Sequence, residues 1–285
     1  MLDRLIVLPQ YLIPKQALTA LAGRIASARG GRFSTWLIGW FVRRYQVNLA
    51  EAAQPDIASY PSFNDFFTRA LCANARPLAQ ADLLCPVDGR ISQLGRIVEG
   101  QLLQAKGHRF SSVALLGGDA QLAAWFHDGT YATLYLSPRD YHRVHMPKEG
   151  LLKRMIYVPG SLFSVNPATA RGVPGLFARN ERVVCVFESA NGPFVLVLVG
   201  AAIVGGIATV WHGMVNQERQ GLLREWRYDD ASLRLRQGEE MGRFLLGSTV
   251  VALFPPHSAP FHPDWFPGRS VRLGEAMSAA SAKAD

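Results

Sequence analysis

Three short segments of the chain carry side chains that can do acid–base or nucleophilic chemistry. Asp88 lies in the turn-like sequence Pro-Val-Asp-Gly, and Ser248 lies in Leu-Gly-Ser-Thr at the start of an apolar run. Between them, His142 and His145 stand three residues apart in Ser-Pro-Arg-Asp-Tyr-His-Arg-Val-His. A carboxylate, an imidazole and a hydroxyl form the set in which a base, held by an acid, activates a serine nucleophile. These residue types permit nucleophilic catalysis, but taken alone a turn aspartate, a structural histidine and a serine at the start of a strand are the default interpretations.

Each of these segments also has an ordinary structural explanation when it is considered alone. An aspartate in a turn commonly bonds its own backbone. Two histidines at helical spacing can bind a metal. No further group of ligand residues accompanies His142 and His145, so a general base beside a substrate-contacting residue is favoured over a metal site. Gly247 permits unusual backbone angles, which helps if the hydroxyl of Ser248 must reach the carbonyl before it.

A fourth segment, residues 157–167, combines turn formers with small polar side chains. It contains Phe163, Ser164 and Asn166. Its composition predicts a loop that lines a pocket, because binding residues are frequently placed on loops. The alternative of an ordinary surface connection stays open.

Together, these segments resemble the phosphatidylserine decarboxylase family of pyruvoyl enzymes, from about residue 60 to residue 255. Asp88 matches the family's Val-Asp-Gly motif, and Ser248 matches the serine of its Leu-Gly-Ser-Thr motif. His145 matches the second histidine of its Ser-Pro-Arg-Asp-Tyr-His-Arg-x-His motif. Three further segments are similar to family segments: Phe163–Pro167, Val204–Gly205 and Gly238–Phe244.

The resemblance implies that the chain processes itself. His145, oriented by Asp88, would take the proton of the Ser248 hydroxyl, whose oxygen attacks the carbonyl of Gly247 and forms an ester. Elimination and hydrolysis would then release ammonia and leave a pyruvoyl group where Ser248 stood. The products would be a β chain of residues 1–247 and an α chain of residues 248–285.

The resemblance also implies the activity. The pyruvoyl ketone would form a Schiff base with the amine of phosphatidylserine, CO2 would leave, and phosphatidylethanolamine would be released. Decarboxylation of an amino acid needs such an electron sink, and the sequence shows no recognisable lysine motif for pyridoxal phosphate. His142 is expected in substrate binding or protonation, and Phe163, Ser164 and Asn166 in substrate binding. No metal is expected, and the unit of α and β chains is expected to dimerise.

A serine hydrolase is the main alternative, because Asp88, His145 and Ser248 occur in an order that some proteases use. The chain lacks the Gly-x-Ser-x-Gly elbow of many hydrolases. The two hypotheses differ in the fate of the serine, which a hydrolase keeps and a pyruvoyl enzyme consumes. A non-catalytic membrane-binding protein is a second alternative, and it leaves the three motifs unexplained.

The secondary-structure elements that must position these residues are predicted to be helical near the N-terminus and β-strands afterwards. With 285 residues and 49% hydrophobic side chains, the chain can form one large domain or a domain with an appendage. From about residue 84, glycine turns separate short β-branched and aromatic runs, and Asn191-Gly192 predicts a hairpin. We expect an α+β fold, with a helical N-terminal region over residues 1–80 and a mostly antiparallel β catalytic domain over residues 81–285. The predicted strands are 129–136, 151–158, 182–187, 194–199, 203–211 and 249–254.

Three local patterns refine this expectation. Residues 193–213 reach transmembrane length without a charged side chain, but glycines interrupt them and valine is frequent. Two buried strands with a bend are therefore favoured over a transmembrane helix. Ser62 has capping-box spacing and predicts a helix over residues 65–71. The small polar end, residues 278–285, is expected to be frayed.

The N-terminal region carries most of the net charge, which is +8 for the whole chain. Seven basic residues and one acidic residue lie among the first 50. The same stretch is apolar, which favours anionic lipid over nucleic acid as its partner. Residues 15–28 predict an amphipathic helix. Residues 33–42, which include Trp36 and Trp40, are too short to span a bilayer and suit a helix at the membrane interface. A helix packed in the core is the alternative.

We therefore expect a peripheral membrane protein at the cytoplasmic face of the cell membrane. The first apolar run, residues 5–8, is too short for a secretory signal. Three cysteines without Cys-x-x-Cys spacing predict neither a disulfide framework nor a zinc site, and they fit a reducing compartment.

Overall fold

The computed structural model describes residues 7–105, 107–202, 206–216, 221–229 and 232–279. The longest helices come first in the chain and antiparallel sheets follow, so the predicted α+β class is confirmed. The helices are α1 Pro9–Leu12, α2 Lys15–Ser27, α3 Arg32–Tyr45, α4 Phe63–Phe67, α5 Ser112–Leu115, α6 Ala120–Ala124, α7 Pro167–Gly172 and α8 Leu176–Arg179. The strands are β1 Gly89–Arg96, β2 Gln101–Ala105, β3 His108–Ser111, β4 Thr130–Leu136, β5 Arg143–His145, β6 Gly150–Val158, β7 Arg182–Ser189, β8 Gly192–Val199, β9 Gly206–Thr209, β10 Gly213–Met214, β11 Arg224–Arg227, β12 Arg234–Leu235, β13 Glu240–Leu245, β14 Ser248–Phe254 and β15 Ser270–Val271.

The largest sheet has the strand order β11-β6-β7-β8-β14-β4-β1-β15, and β12 extends it by pairing with β6. Side chains of its central strands alternate between two apolar clusters, because successive residues of a strand face opposite sides. Val183 and Cys185 pack in one cluster, and Val184 and Val186 pack in the other. Burial on both faces explains why these strands read as continuous apolar runs in the sequence.

Strand β14 lies inside this sheet, between β8 and β4. All seven of its residues are buried. It pairs with β4 in an antiparallel register that runs from Ser248 opposite Leu136 to Phe254 opposite Thr130. The residue at the predicted cleavage site is therefore fixed by a central strand.

Most of the predicted strands correspond closely to observed ones. Five of the six apolar runs form β4, β6, β7, β8 and β14, and the turn at Asn191-Gly192 joins β7 to β8 as predicted. Residues 193–213 form β8 and β9, and no helix among the described residues is long and apolar enough to cross a membrane. The predicted strand 203–211 is shortened to β9. Residues 203–205, with the Val204–Gly205 motif, lie outside the described residues.

A second sheet, β10-β9-β13-β5, brings two site segments together. Strand β5 ends at His145, which lies opposite Glu240 of β13. Strand β13 continues through Leu246 and Gly247 into β14 of the large sheet. The chain therefore crosses between two sheets at the junction where self-cleavage is predicted. A separate hairpin is formed by β2 and β3.

The N-terminal helices form an apolar cluster of their own, in which aromatic side chains predominate. Its buried members are Ala26, Ile38, Phe41, Val47, Phe63, Phe66 and Phe67. A second apolar face of the same helices stays exposed. It carries Leu18, Leu21 and Ile25 of α2 and Phe33, Trp36 and Trp40 of α3. Helix α3 is therefore amphipathic, with one side in the cluster and one side at the surface.

Helix α4 is capped by Ser62 as the sequence predicts, but it begins two residues and ends four residues earlier than predicted. Ser62 caps it by accepting a hydrogen bond from the backbone N–H of Asp65 at 3.2 Å. The helix covers Phe63–Phe67 rather than residues 65–71, because Thr68 leaves helical backbone angles.

The C-terminal segment returns to the start of the β domain. Strand β15 pairs with β1, and the backbone N–H of Met277 donates to the carbonyl of Leu83. Ser278 is fully buried, and its Oγ accepts a hydrogen bond from the N–H of Leu83 at 3.1 Å. The expectation of a frayed end is therefore wrong at Ser278, because these bonds tie it down. Residues 280–285 lie outside the described residues.

Candidate active site

The predicted cleavage junction lies where β13 passes into β14. Leu246 has a φ of 82° and Gly247 a φ of 36°, so two successive residues occupy the left-handed region. Glycine adopts such angles freely, but holding a leucine there costs about 1–3 kcal/mol. The side chain of Leu246 packs against the N-terminal aromatic cluster, which supports this backbone. The peptide bond before Ser248 therefore lies in a strained turn between two sheets.

Ser248 is the first residue of β14 and is fully buried. Its Oγ has no hydrogen-bond partner among the described residues. Leaving a buried hydroxyl unpaired costs free energy, so such atoms call for an explanation, of which a catalytic role is one. The hydroxyl is available as a nucleophile, but it does not contact a base in this structure.

His145 is positioned through both of its ring nitrogens. Nδ1 lies 2.9 Å from the carbonyl oxygen of Gly238, which can only accept, so Nδ1 carries the proton of the neutral ring. The hydroxyl of Tyr141 donates to Nε2 at 3.2 Å. Burial lowers the pKa of His145 below its ordinary value. The ring is therefore neutral near pH 7, and Nε2 is the atom that can accept a proton.

Asp88 is almost buried and accepts hydrogen bonds from a cation and from the backbone. Arg76 donates through Nε to Oδ1 at 2.9 Å and through Nη2 to Oδ2 at 2.5 Å. The backbone N–H of Leu273 donates to Oδ1 at 2.9 Å. Arg76 also pairs with Glu51 at 2.7 Å, and the two carboxylates raise the pKa of its guanidinium above the ordinary value. Asp88, Arg76 and Glu51 thus form a buried ionic cluster.

The structure brings the segments of the predicted triad together but does not join the three side chains by hydrogen bonds. The backbone N–H of His145 donates to Pro86, two residues before Asp88, at 2.9 Å. Among the described residues, no hydrogen bond links the carboxylate of Asp88 to His145, and none links His145 to Ser248. The carbonyl of Gly238 takes the place at Nδ1 that the resemblance gives to Asp88. The catalytic roles of Asp88, His145 and Ser248 therefore stay predictions.

His142 is fully buried, and its ring centre lies 4.0 Å from that of Phe67. Nδ1 donates to the carbonyl of Asp140 at 2.8 Å, and Nε2 has no partner among the described residues. Burial lowers its pKa to about 3, so the ring is neutral. A neutral ring with an unpaired acceptor nitrogen can accept a hydrogen bond, which suits substrate binding; the predicted role in substrate binding or protonation stays a prediction.

Two of the three loop residues predicted to bind substrate, Phe163 and Ser164, contact the first helix. The Oε1 atom of Gln10 accepts the backbone N–H of Ser164 at 3.0 Å, and the ring centre of Tyr11 lies 5.0 Å from that of Phe163. Asn166 caps the start of α7 through its side chain. These contacts fit the alternative of a structural connection, and substrate binding by this loop remains a prediction.

A cleft of about 550 Å³ opens beside Asp88, between the N-terminal region and the ends of β1, β4 and β15. Tyr135 and Ser137 line it on either side of Leu136, the residue opposite Ser248. Its charged lining consists of Arg69, Arg76, Arg90, Arg139, Arg272, Glu51, Asp88 and Asp140. Five arginines against three carboxylates make the cleft suitable for an anion.

The sequence analysis assigned no role to Arg76, Tyr141 or Gly238, although Gly238 begins a segment that is similar to the family. Tyr141 lies inside the histidine motif, four residues before His145, so it could have been found there. Nothing around Arg76 marks it as the partner of Asp88. Gly238 contributes only its carbonyl oxygen, an atom that every residue has, and no side-chain signal could have predicted it.

The site thus combines a neutral imidazole, a buried serine hydroxyl at a strained glycine bond, and an arginine-rich cleft. Among residues 7–279, within the parts that the structure describes, no group of three or more His, Cys, Asp or Glu is placed to hold a metal ion. These features define the class, an α+β protein with a neutral imidazole and an unpaired buried serine hydroxyl near an arginine-rich cleft.

Comparison with known proteins agrees with this class. A family model described as phosphatidylserine decarboxylase matches residues 63–279, and one described as PSD matches residues 5–46. A phosphatidylserine decarboxylase proenzyme from Albidiferax ferrireducens is 71% identical over 98% of this chain and 98% of its own length. Proteins of the same name from Dechloromonas aromatica and Methylibium petroleiphilum are 68% and 69% identical, over 97% and 98% of this chain and 98% and 99% of their own lengths. The chain belongs to the phosphatidylserine decarboxylase family and is a decarboxylase, which confirms the resemblance seen in its motifs.

Proposed function

We propose that this protein converts phosphatidylserine to phosphatidylethanolamine and CO2, with a pyruvoyl group that it makes from its own Ser248. Family membership supports the reaction, and the relatives' name of proenzyme supports a processed chain. The observation that carries the proposal is the junction itself. Leu246 and Gly247 hold left-handed angles directly before a buried serine whose Oγ has no partner among the described residues. Self-cleavage needs such a bond beside such a nucleophile.

In the proposed maturation, Nε2 of His145 takes the proton of Ser248 Oγ, and the oxygen attacks the carbonyl carbon of Gly247. Because Nε2 contacts the hydroxyl of Tyr141 in this structure, that hydrogen bond must be exchanged for one to Ser248. The acyl group moves from nitrogen to oxygen, so an ester replaces the peptide bond. Elimination removes the Cα proton of residue 248 and breaks its Cβ–O bond, which frees the carboxylate of Gly247 and leaves dehydroalanine. This enamine takes up a proton at Cβ to become an imine, and water hydrolyses the imine, which releases ammonia and leaves the ketone.

A pyruvoyl ketone would supply the electron sink that decarboxylation needs. The residues of this chain fit such a group, because position 248 is fully buried, holds an unpaired polar atom and is fixed opposite Leu136. Exclusion of water favours loss of the carboxylate charge as neutral CO2. His142 is the candidate for substrate binding, because its unpaired Nε2 can accept a hydrogen bond from the substrate; a role in protonation would require Nε2 to take up a proton first.

Mass spectrometry of the purified protein is the direct test of self-cleavage. We expect chains of residues 1–247 and 248–285, the smaller without a free amine at its start. Ser248→Ala should give one intact, inactive chain. Ser258→Ala, a half-buried serine later in the same segment, should cleave normally. An intact chain that releases CO2 from phosphatidylserine would contradict the proposal. An intact chain labelled at Ser248 by a phosphonate would instead indicate a serine hydrolase.

We further propose that the N-terminal helices hold the enzyme on the cytoplasmic membrane surface as a peripheral protein. The support is the exposed apolar face of α2 and α3 beside their basic residues. Trp36 is 60% exposed, and Trp125, outside this region, is 52% exposed. In a flotation assay with anionic vesicles, Trp36→Ser should weaken binding and Trp125→Ser should not. Equal binding by the two variants would contradict this placement.

The proposed organisation has a membrane-contacting region over residues 1–80 and a catalytic domain over residues 81–285. Its support is the separate aromatic cluster of the N-terminal helices. We also propose that the processed α and β chains form a unit that dimerises. Light scattering of the purified enzyme should then give about twice the chain mass of 31.3 kDa. A single-unit mass at micromolar concentration would contradict the dimer.

A further inference from the structure

The guanidinium of Arg69 is a buried cation in the cleft that the proposed chemistry does not use. Arg69 lines the cleft and is only 4% exposed. Its Nε atom has no partner among the described residues, and Nη2 has one long contact, 3.5 Å, to the carbonyl of Arg139. The ring of Phe66 lies 5.2 Å from the guanidinium carbon. A buried guanidinium is normally paired with a carboxylate or a phosphate, because burial of an unpaired charge is costly.

The other arginines around the cleft are either paired with a carboxylate or exposed, and Arg90 and Arg139 are exposed. Arg76 pairs with Asp88 and Glu51 at 2.5 and 2.7 Å. Arg272 lies 3.5 Å from Glu51, and its side chain is mostly exposed. No ion pair within 4.0 Å joins Arg69 to a carboxylate in the described part of the chain. Burial lowers the pKa of Arg69, as expected for a cation without a close counter-ion.

The same cleft reaches the residues around the proposed reaction centre. Tyr135 and Ser137 line it and flank Leu136, which lies opposite Ser248. The positive charge of Arg69 also acts on His142, where it helps to lower the pKa of that ring. A ligand whose anionic group rests on Arg69 is therefore close to the residues proposed to do the chemistry.

We propose that Arg69 binds the phosphodiester of the lipid headgroup. The inference rests on the proposed function, because that function supplies a substrate with a phosphodiester, a carboxylate and an amine. The planar guanidinium matches the geometry of a phosphate oxyanion. The carboxylate is the poorer candidate, because an arginine on it would stabilise a charge that must be lost as CO2 and would raise the barrier. The phosphodiester keeps its charge in substrate and product.

Inhibition kinetics of the processed enzyme test this assignment with soluble headgroup analogues. Glycerophosphoethanolamine carries the phosphodiester without a carboxylate, and free serine carries the carboxylate without a phosphate. Arg69→Met keeps the aliphatic stem on Phe66 and removes the charge. We expect it to raise KM for phosphatidylserine more than it lowers kcat, and to weaken inhibition by glycerophosphoethanolamine roughly 10- to 100-fold, the range for a charged hydrogen bond. Inhibition by serine should not change.

A matched control removes the same charge elsewhere. Arg96 lies at the far end of β1 and is exposed, so Arg96→Gln should leave both inhibition constants unchanged. Arg69→Lys keeps a positive charge but loses the two parallel N–H donors of the guanidinium. Its inhibition constant for glycerophosphoethanolamine should lie between those of the wild type and Arg69→Met. Thermal unfolding separates binding from folding. Without ligand, Arg69→Met should melt no lower than the wild type, because it removes an unpaired buried charge. With glycerophosphoethanolamine, only the wild type should be stabilised.

Four outcomes would overturn the assignment. The first is unchanged inhibition by glycerophosphoethanolamine in Arg69→Met, and the second is loss of serine inhibition in its place. The third is that Arg69→Met melts at a lower temperature than the wild type without ligand, while glycerophosphoethanolamine stabilises both proteins equally. That result would identify Arg69 as a structural residue. A fourth is binding of inorganic phosphate that is lost in Arg69→Met but does not compete with glycerophosphoethanolamine, which would assign Arg69 to free phosphate. If the wild type releases no CO2 from phosphatidylserine, the proposed function fails, and the thermal shift still reports whether Arg69 binds the analogue.

Discussion

The hydrogen bond at Nδ1 of His145 determines how this residue can act as a base. A carbonyl oxygen, that of Gly238, holds the proton at Nδ1 and leaves Nε2 to accept. A carbonyl fixes the tautomer but brings no full negative charge, so it stabilises an imidazolium less than a carboxylate does. The charge of Asp88 acts on His145 through space, while its oxygens bind Arg76. The strength of the base is therefore set mainly by burial.

Self-cleavage should consequently persist at mildly acid pH. Burial lowers the pKa of His145 below its ordinary value of 6.5, so the ring becomes protonated, and loses its function as a base, only below that pH. We expect the cleavage rate to fall with a midpoint below pH 6.5, measured by gel after cell-free synthesis and transfer to buffers of set pH. His212→Gln, which removes an exposed histidine, should leave the midpoint unchanged. A midpoint at or above pH 6.5 in the wild type would show that burial does not control this base.

The ionic cluster around Arg76 should contribute strongly to stability. Its side chain is 8% exposed, and removing it would leave the carboxylate of Asp88, 9% exposed, without its cation. Arg76→Met should therefore lower the free energy of unfolding by about 3–5 kcal/mol, measured by urea denaturation. Glu51→Gln in the same background should recover part of the loss. The surface pair of Arg234 with Glu149 provides the control, because Arg234→Met should cost less than about 1 kcal/mol. Equal losses in the two variants would contradict a special role for the buried cluster.

Among the secondary-structure elements, the junction of β13 and β14 joins three parts of the fold. Strand β13 belongs to the four-stranded sheet and β14 to the large one, and Leu246 between them packs on the aromatic cluster of the N-terminal helices. Each strand is held by its own ladder, so the two residues between them must absorb the change of direction. The left-handed angles of Leu246 and Gly247 are the result.

Relaxing this junction should slow maturation. Leu246→Gly adopts a positive φ without strain and also gives up the contact with the aromatic cluster. If about 1–3 kcal/mol of strain is released from the precursor, cleavage should slow by roughly 5- to 150-fold. The half-time of cleavage in cell-free synthesis measures this. Leu222→Gly, at an exposed leucine outside the helices and strands, should not change the half-time. Cleavage of Leu246→Gly at the wild-type rate would mean that strain at this residue does not assist the reaction.

For the molecule as a whole, the sequence predicted those features that local chemistry determines. The apolar runs, the Asn-Gly hairpin and the cap at Ser62 each depend on a few neighbouring residues, and each was found where predicted. The pairing of Arg76 with Asp88 and the left-handed Leu246 were not predictable, because they arise only when distant segments meet. The end of the chain was misjudged for the same reason, since the partner of Ser278 is Leu83. The motifs located the site segments, but the hydrogen bonds within the site depend on tertiary packing.

The position of the proposed α chain in the fold predicts that cleavage does not release it. Strand β14 of the proposed α chain lies between β4 and β8, which both belong to the β chain. Strand β15 of the α chain pairs with β1 of the β chain. The N–H of Leu273 also donates to Asp88 across the two chains. Cleavage breaks one covalent bond and none of these contacts. We expect the chains to co-elute in size-exclusion chromatography, in 1 M salt as well, because buried apolar surface and backbone hydrogen bonds are little screened. In urea they should separate at the midpoint at which tryptophan fluorescence reports unfolding. Release of the smaller chain from folded enzyme would contradict the placement of β14 inside the sheet.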